Sequence, residues 1–318
     1  MSKPGGGTPR PPDPAGILVV DKPRGPTSHD IVSSVRRFLK VKRAGHTGTL
    51  DPMAEGVLVV CLGEATKLAG HLTDTDKGYE CTVRLGVSTD SHDATGEVLE
   101  ERPVEVEREQ VEEALEAFRG QIAQVPPMFS ALKKDGRRLY ELAREGETVE
   151  REPRIVTIHA LELKRFEPPE LDLSIQCSKG TYIRTLAHDL GEALGCGAHL
   201  SALVRSRVGA FTLEQAVSLE RIKEARDPEV REALRAELLP MGEALPDWPL
   251  IRLSKRGVRD VRHGRAVGLG ELAASGGGGL RPGQKVRIVD PEGDLVAIGE
   301  MKTHGLQPTR VFQAQPAP

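Results

Sequence analysis

Aromatic residues are scarce in this chain: Phe, Trp and Tyr make up 3% of its 318 residues. A surface built to stack a run of single-stranded bases would need more of them. Cysteine is also rare. Cys61, Cys81, Cys177 and Cys196 are scattered, with no CxxC pair. Such spacing suits neither a zinc site nor a disulfide scaffold, and reads as small buried thiols in a reducing cytoplasm. No apolar run approaches the roughly 20 residues that span a bilayer. Residues 1–15 lack the apolar core of a signal peptide; rich in Gly and Pro, they are expected to form a flexible leader. An excess of one charge is missing too. The formal net charge is −3, so any nucleic-acid partner must be sought in local segments.

What remains is a globular composition with an aliphatic core. GILVVD at 16–21 reads as a strand entering a loop at Lys22-Pro23. SHDIVSSVRRFLK places Ile31, Val32, Val35, Phe38 and Leu39 at helical spacing, behind Thr27 or Ser28 as N-cap. GVLVVCLG and YECTVRLG read as strands, EATKLAGHLTD and EREQVEEALEAFRG as helices, the latter stopping at Gly120. RIVTIHALELKRFE and ELDLSIQCSKGTYIRT read as antiparallel strands, and TYIRTLAHDLGEALG leads into a helix. Strands and helices mix without strict βαβ alternation, so the class is α+β. After LPDWP the texture changes to dense glycines and short strands. A boundary is therefore expected near 248, separating residues 16–247 from a small unit at 248–318, with the GGGG at 276–279 as a flexible loop.

Charge is informative once it is read locally. Lys22 to Arg43 holds seven Lys/Arg, and Arg252 to Arg310 holds eleven against six acids, while 97–117 carries nine Glu and two Arg. Basic segments with few aromatics favour the backbone of a structured nucleic acid.

The stretch RAGHTGTLDP at 43–52 sets a lone acid, Asp51, between Leu50 and a proline in a Gly/Thr-rich loop. From the residues alone it is a nucleophile, a general base, a metal ligand or a turn residue. A metal would need acid or His partners at set spacing. DTD at 74–76 and STDSHD at 88–93 read as turns, and neither is an EF-hand loop. Three further stretches bear on Asp51: DKGYE, with Tyr79 opening a strand; KGTYIR, where Tyr182 and Arg184 lie two apart and so on one face of a strand; and HLSALVRSRVG, with Leu203 flanked by Arg205 and Arg207. An arginine beside a carboxylate keeps it ionised and oriented. A tyrosine stacks on a base and still offers a phenol.

These segments resemble the bacterial TruB family of tRNA pseudouridine synthases. The resemblance runs through GILVVDKPRGPTSHD, RAGHTGTLDPMAEGVLVVCLGEATK, DKGYECTVRLGVSTDSHDATGE, VPPMFSALKKDGRRLYELAREG and CSKGTYIRTLAHDLGEALGCGAHLSALVRSRVG, in order, over roughly residues 16–211. The tail, with GQKVRIVDPEGDLVAIGEM, is similar to a PUA-type RNA-binding barrel. The resemblance implies the pseudouridine-synthase fold: a central mixed, largely antiparallel sheet with flanking helices, plus a small C-terminal β-barrel. It implies conversion of the uridine at position 55 in the TΨC loop of tRNA, with no cofactor, no metal and no guide RNA or protein partner. Asp51 falls on the nucleophile. Tyr79 falls on the residue stacked on the base and available for proton transfer, and Arg184 on the partner of the aspartate. His46, Tyr182, Leu203 and Lys22 fall among the substrate- and RNA-binding positions, and 125–150 on an insertion that clamps the RNA. Rival readings are His46 as the general base, a non-catalytic RNA-binding protein, a guide-dependent relative, and a glycoside hydrolase. The last would need a second acid in a comparable setting, and none is evident.

Overall fold

The computed structural model describes residues 13–130, 132–134, 136–147, 149–274 and 279–313. Most of the leader, and 276–278 of the glycine loop, lie outside the described residues. Of the leader's described end, Asp13 is tied down: its carboxylate accepts from the backbone N–H groups of Lys42 (2.7 Å) and Arg43 (3.0 Å).

Ten strands form one mixed sheet. They are β1 (Gly16–Lys22), β2 (Ala44–His46), β3 (Glu55–Leu62), β4 (Lys77–Leu85), β5 (Gly120–Gln124), β6 (Arg154–Glu167), β7 (Glu170–Cys177), β8 (Ala198–Val208), β9 (Phe211–Thr212) and β10 (Val217–Ser218). Their order is β10-β1-β3-β8-β4-β7-β6-β5, with β2 added to β3 and β9 to β8. Only β1–β10 and β3–β8 pair in parallel. The sheet is thus largely antiparallel, as an α+β reading requires.

The sequence explains the layers. Strands β1 and β3 are buried along almost their whole length, because both sheet faces are covered there. On one face lies helix α1 (Ser28–Phe38), started by a capping box between Thr27 and Asp30 and burying Ile31, Val32, Val35 and Phe38. The helices Leu219–Glu224 and Pro228–Ala236 contribute Leu219, Ile222 and Leu234 to the same cluster. Over the other half of the sheet lie α2 (Arg108–Glu116) and α3 (Ile183–Ala193), with Val111, Leu115, Leu186 and Leu190 against β4, β7 and β8. Gly120, at φ +77°, ends the turn after α2 in a conformation that favours glycine.

A second sheet of five strands follows: β11 (Leu250–Arg252), β12 (Val267–Gly268), β13 (Lys285–Val289), β14 (Leu295–Lys302) and β15 (Gly305–Val311), ordered β11-β13-β14-β15-β12. It forms a half-barrel consistent with a PUA-like domain. The insertion at 125–150 carries a two-stranded hairpin, Lys133–Lys134 with Arg137–Arg138, and the short helix Leu139–Arg144.

One local expectation fails. Tyr182 and Arg184 do not alternate on a strand: Tyr182 is the N-cap of α3, and Arg184 sits in its first turn. Gly180, at φ +83°, turns the chain after Cys177, so the strand ends before the tyrosine. Among the described residues no helix is long and apolar enough to cross a membrane.

Candidate active site

Asp51 lies on the loop between β2 and β3, and that loop is held from three sides. Ser28, at the start of α1, donates to the Leu50 carbonyl (3.0 Å) and accepts from the Leu50 N–H (2.8 Å). Lys22, at the end of β1, donates to the carbonyls of Ala54 (2.6 Å), Pro23 (3.0 Å) and Pro52 (3.4 Å). Arg205, on β8, donates to the carbonyls of Gly48 (3.1 Å), Thr49 (3.2 Å) and Val57 (2.8 Å). These bonds satisfy backbone groups that a buried loop would otherwise leave unpaired.

Lys22, expected among the substrate- and RNA-binding residues, has its side chain fully buried and its ammonium on loop carbonyls. Burial pushes its pKa down to about 8, with Asp51 and Glu55 opposing.

The Asp51 carboxylate meets Arg184, with Oδ2 at 3.0 Å from Nε. The Asp51 side chain keeps 37% of its exposure, while the Arg184 side chain is buried. The rest of the guanidinium is fully used. It donates to Asp93 Oδ2 (3.2 Å), the Ser91 carbonyl (3.2 Å) and the Phe129 carbonyl (2.8 Å). Protein walls on the remaining sides push the Asp51 pKa up; Arg184 is the largest pull the other way, and Asp93 adds to the push. The arginine therefore moderates the cost of the buried charge without cancelling it.

The apolar part of the pocket comes from the same cluster. Leu50, Tyr79, Ile183 and Leu203 pack together, with Tyr79 7% and Leu203 6% exposed. Tyr79 sits on β4 opposite Ile175 of β7 and Arg205 of β8. Burial raises the pKa of its phenol, and Arg205 is the first charge that lowers it. Tyr182 is clamped by Gln124: its N–H donates to the amide oxygen (2.8 Å) and its carbonyl accepts from the amide nitrogen (3.0 Å). Its phenol is half-buried. His46, on β2, is half-buried as well, and burial, then Arg205 and His29, lower its pKa, which keeps the imidazole neutral.

The structure thus pairs Asp51 with Arg184, sets Tyr79 and Tyr182 within electrostatic reach of Asp51, and puts Tyr79 and Leu203 in one buried cluster. Sequence reasoning missed Asp93. It does lie in the expected turn, but its buried carboxylate also accepts from Ser91 Oγ (2.9 Å), the Thr95 N–H (2.9 Å) and Thr95 Oγ1 (2.5 Å) while facing Arg184. The signal was an acid flanked by hydroxyl residues. Among the described residues no group of three or more His, Cys, Asp or Glu side chains is placed to hold a metal ion. The chemistry available is that of a partly exposed carboxylate steered by a guanidinium that a second, buried carboxylate also holds, with a phenol nearby.

The family model for the TruB family pseudouridylate synthase N-terminal domain matches residues 36–183, and that for the tRNA pseudouridylate synthase B C-terminal domain matches residues 184–246. A tRNA pseudouridine synthase B of Pseudomonas aeruginosa is 48% identical over 301 residues, covering 94% of this chain and 96% of the relative. One of Stutzerimonas stutzeri is 48% identical over 304 residues, covering 95% and 97%. Among solved structures, a Cbf5-Nop10-Gar1 complex gives a TM-score of 0.73 at 27% identity, covering 94% of this chain and 85% of that one. An H/ACA RNP bound to a substrate RNA containing 2′-deoxyuridine gives 0.72 at 25%, covering 94% and 86%.

Fold and site together define an isomerase of the pseudouridine synthase class. Within that class, the chain belongs to the TruB family of pseudouridylate synthases.

Proposed function

We propose that this enzyme converts the uridine at position 55 in the TΨC loop of tRNA to pseudouridine, with Asp51 as nucleophile and without a cofactor. The observation that carries the reading is the Asp51–Arg184 pair, 3.0 Å apart, beside a buried cluster that includes Leu50, Tyr79 and Leu203. The relatives' names, which specify tRNA, support the substrate class.

Isomerising uridine breaks the C1′–N1 bond, turns the uracil and forms a C1′–C5 bond. No atom is lost, so no redox or group-carrying reagent is required. The base must leave the stack, at a cost of a few kcal/mol. Leu50 and Leu203 offer the everted ring an apolar seat, with Tyr79 against its face. Asp51, held ionised and aimed by Arg184, attacks the nucleotide, and the bond it forms is broken again before the product leaves, which regenerates the carboxylate. After the C1′–C5 bond has formed, Tyr79 as phenolate takes the C5 proton. The electron pair re-forms the C5–C6 double bond, and N1 gains a proton. His46 stands by the RNA rather than in the proton path, since its charged neighbours are Arg205 and His29.

Exposed Arg36, Arg37, Lys40 and Lys42 suit phosphates of a folded T-loop recognised by shape. The 125–150 insertion clamps the arm, and the C-terminal sheet, from about 248, meets the acceptor stem. The partner is tRNA alone, in the cytoplasm, with no guide RNA. Replacing Asp51 by Asn is expected to abolish pseudouridine formation in a bare T-arm stem-loop while leaving its binding within a few-fold. Pseudouridine made by the Asn variant overturns the nucleophile; a parent enzyme inactive without an added guide overturns the partner assignment.

A further inference from the structure

Arg205 is a buried cation outside the Asp51–Arg184 pair, and the recognisable motifs give it no task. Its side chain is 2% exposed. Its hydrogen bonds go to the carbonyls of Gly48, Thr49 and Val57 and to the Tyr79 side chain, all of them neutral while Tyr79 is a phenol. A guanidinium buried among neutral acceptors is costly, because they do not balance its charge. The ionisable groups that bear on it are Tyr79 and Asp51. Tyr79 is its directly opposed partner in the antiparallel β4–β8 register. Opposed residues project from the same face of a sheet, with their Cβ atoms about 5 Å apart. The backbone is built tightly around this point: Gly56 takes φ +97°, and a Cβ there would lie 2.4 Å from the Arg205 carbonyl oxygen.

We propose that Arg205 is a positioning residue of the isomerisation, holding the loop that carries Asp51 through Gly48 and Thr49 and, through its charge, making the Tyr79 hydroxyl able to act as the base that takes the C5 proton. This rests on the proton-transfer reading of Tyr79 given above. The need is physical. An ordinary phenol ionises near pH 10, and burial in this pocket drives it higher, with Arg205 the first charge opposing. The other groups facing the phenol, Cys177 from β7 and Asp51 from its loop, both push it further up. Arg205 is therefore the only one of the three that favours a phenolate, and it touches the Asp51 loop at the same time.

The test is the pH profile of single-turnover isomerisation of a T-arm stem-loop by the full chain, with parent, R205Q, R205K and Y79F compared and thermal melting recorded for each. R205Q keeps donors for the loop carbonyls but removes the charge. Its rising limb should move to higher pH by at least about one unit, which is about tenfold in rate at neutral pH. R205K keeps the charge and loses the planar donors; its limb should stay where the parent's lies, at a lower plateau. If R205Q and R205K lower the rate equally at every pH, Arg205 is only scaffold and the inference is wrong. It is wrong too if R205Q keeps the parent profile. Should R205Q fail to fold, R205K decides alone: an upward shift with the charge retained overturns the proposal. An active Y79F with the parent's profile sinks the reading of Tyr79 itself, a failure distinct from the other two.

Discussion

One guanidinium serves two acids here, and the division of labour between them follows from burial. Asp51 keeps 37% of its side-chain exposure; Asp93 stands behind, 4% exposed, with its other oxygen accepting from Ser91 and Thr95. The rear acid fixes the guanidinium so that its Nε points outward at Asp51. An Asp93→Asn change would set an amide N–H or a weaker acceptor against an N–H donor that now meets a carboxylate. Losing a charge-assisted bond of this kind costs about 1.5–3 kcal/mol, hence roughly ten- to a hundredfold in rate when it bears on the transition state. The sign of the pH effect is separate. Asp93 helps hold the Asp51 pKa up, and the proposed mechanism requires Asp51 ionised, so the acid limb of the rate should shift to lower pH as the plateau falls. Single-turnover rates from acid to neutral pH check both; a lower plateau with an unmoved limb would reduce Asp93 to a structural residue. Asp51 stands out in the sequence as an acid in a Gly/Thr loop closed by Pro52, but that loop alone leaves its role open, and the nucleophile reading comes from the family resemblance. Asp93 does not stand out, because the arginine that gives it meaning is 91 residues away in the chain. The setting of Lys22 was hidden for a related reason: a basic residue at the end of a strand is usually solvated, and only the fold shows loop carbonyls arriving around it.

At the scale of elements, the site exists because β3, β8 and β4 lie side by side, delivering the Asp51 loop, Arg205 with Leu203, and Tyr79. Period and composition made the strands and helices themselves readable: β4 alternates, β1 and β3 are continuous apolar runs, and α1 shows its stripe and cap. The parallel contact of β3 with β8 was not readable, since no local pattern encodes a partner so distant in the chain. Nor was the start of α3, where strand alternation was expected and a glycine turn ended the strand early. The β3–β8 contact hinges on Gly56, the Cα partner of Arg205. Alanine there meets two obstacles, a positive φ and a backbone oxygen that cannot move aside. Gly56→Ala should destabilise the fold by at least about 2 kcal/mol, and lower activity even in the folded fraction, as Arg205 is pushed off Gly48 and Thr49. Chemical denaturation and rates per folded molecule measure the two parts; a neutral substitution would mean that β3 and β8 are not locked at this point.

For the whole molecule, the two sheets share one core at their seam. Phe312, just past β15, and Ile298 of β14 are buried in the cluster that holds Ile17, Val57, Met241 and Leu245 of the larger unit. Polar bonds sit beside it: Lys67 donates to the Val311 carbonyl (3.0 Å), and the Gln313 N–H donates to Glu64 (2.9 Å). On the other side Arg287 reaches the carbonyls of Trp248 (2.9 Å) and Gly242 (2.7 Å), and Trp248 is flanked by His71 and Lys285. The C-terminal sheet is thereby fixed relative to the pocket, and it carries a share of the basic residues that the near-neutral total conceals. A fixed arm can measure the distance from T-loop to acceptor stem, whereas a loosely tethered one cannot, because its effective concentration at a second site falls with slack. Phe312→Ala removes a buried aromatic worth about 3–5 kcal/mol, most of it charged to docking rather than to the pocket. Isomerisation of a T-arm stem-loop, which lacks the acceptor stem, should then persist within a few-fold, while kcat/KM for full-length tRNA falls at least about tenfold and proteases gain access near residue 248. Equal losses on both RNAs would show that the seam supports the pocket itself. Equal retention would show that the second sheet plays no part in holding tRNA.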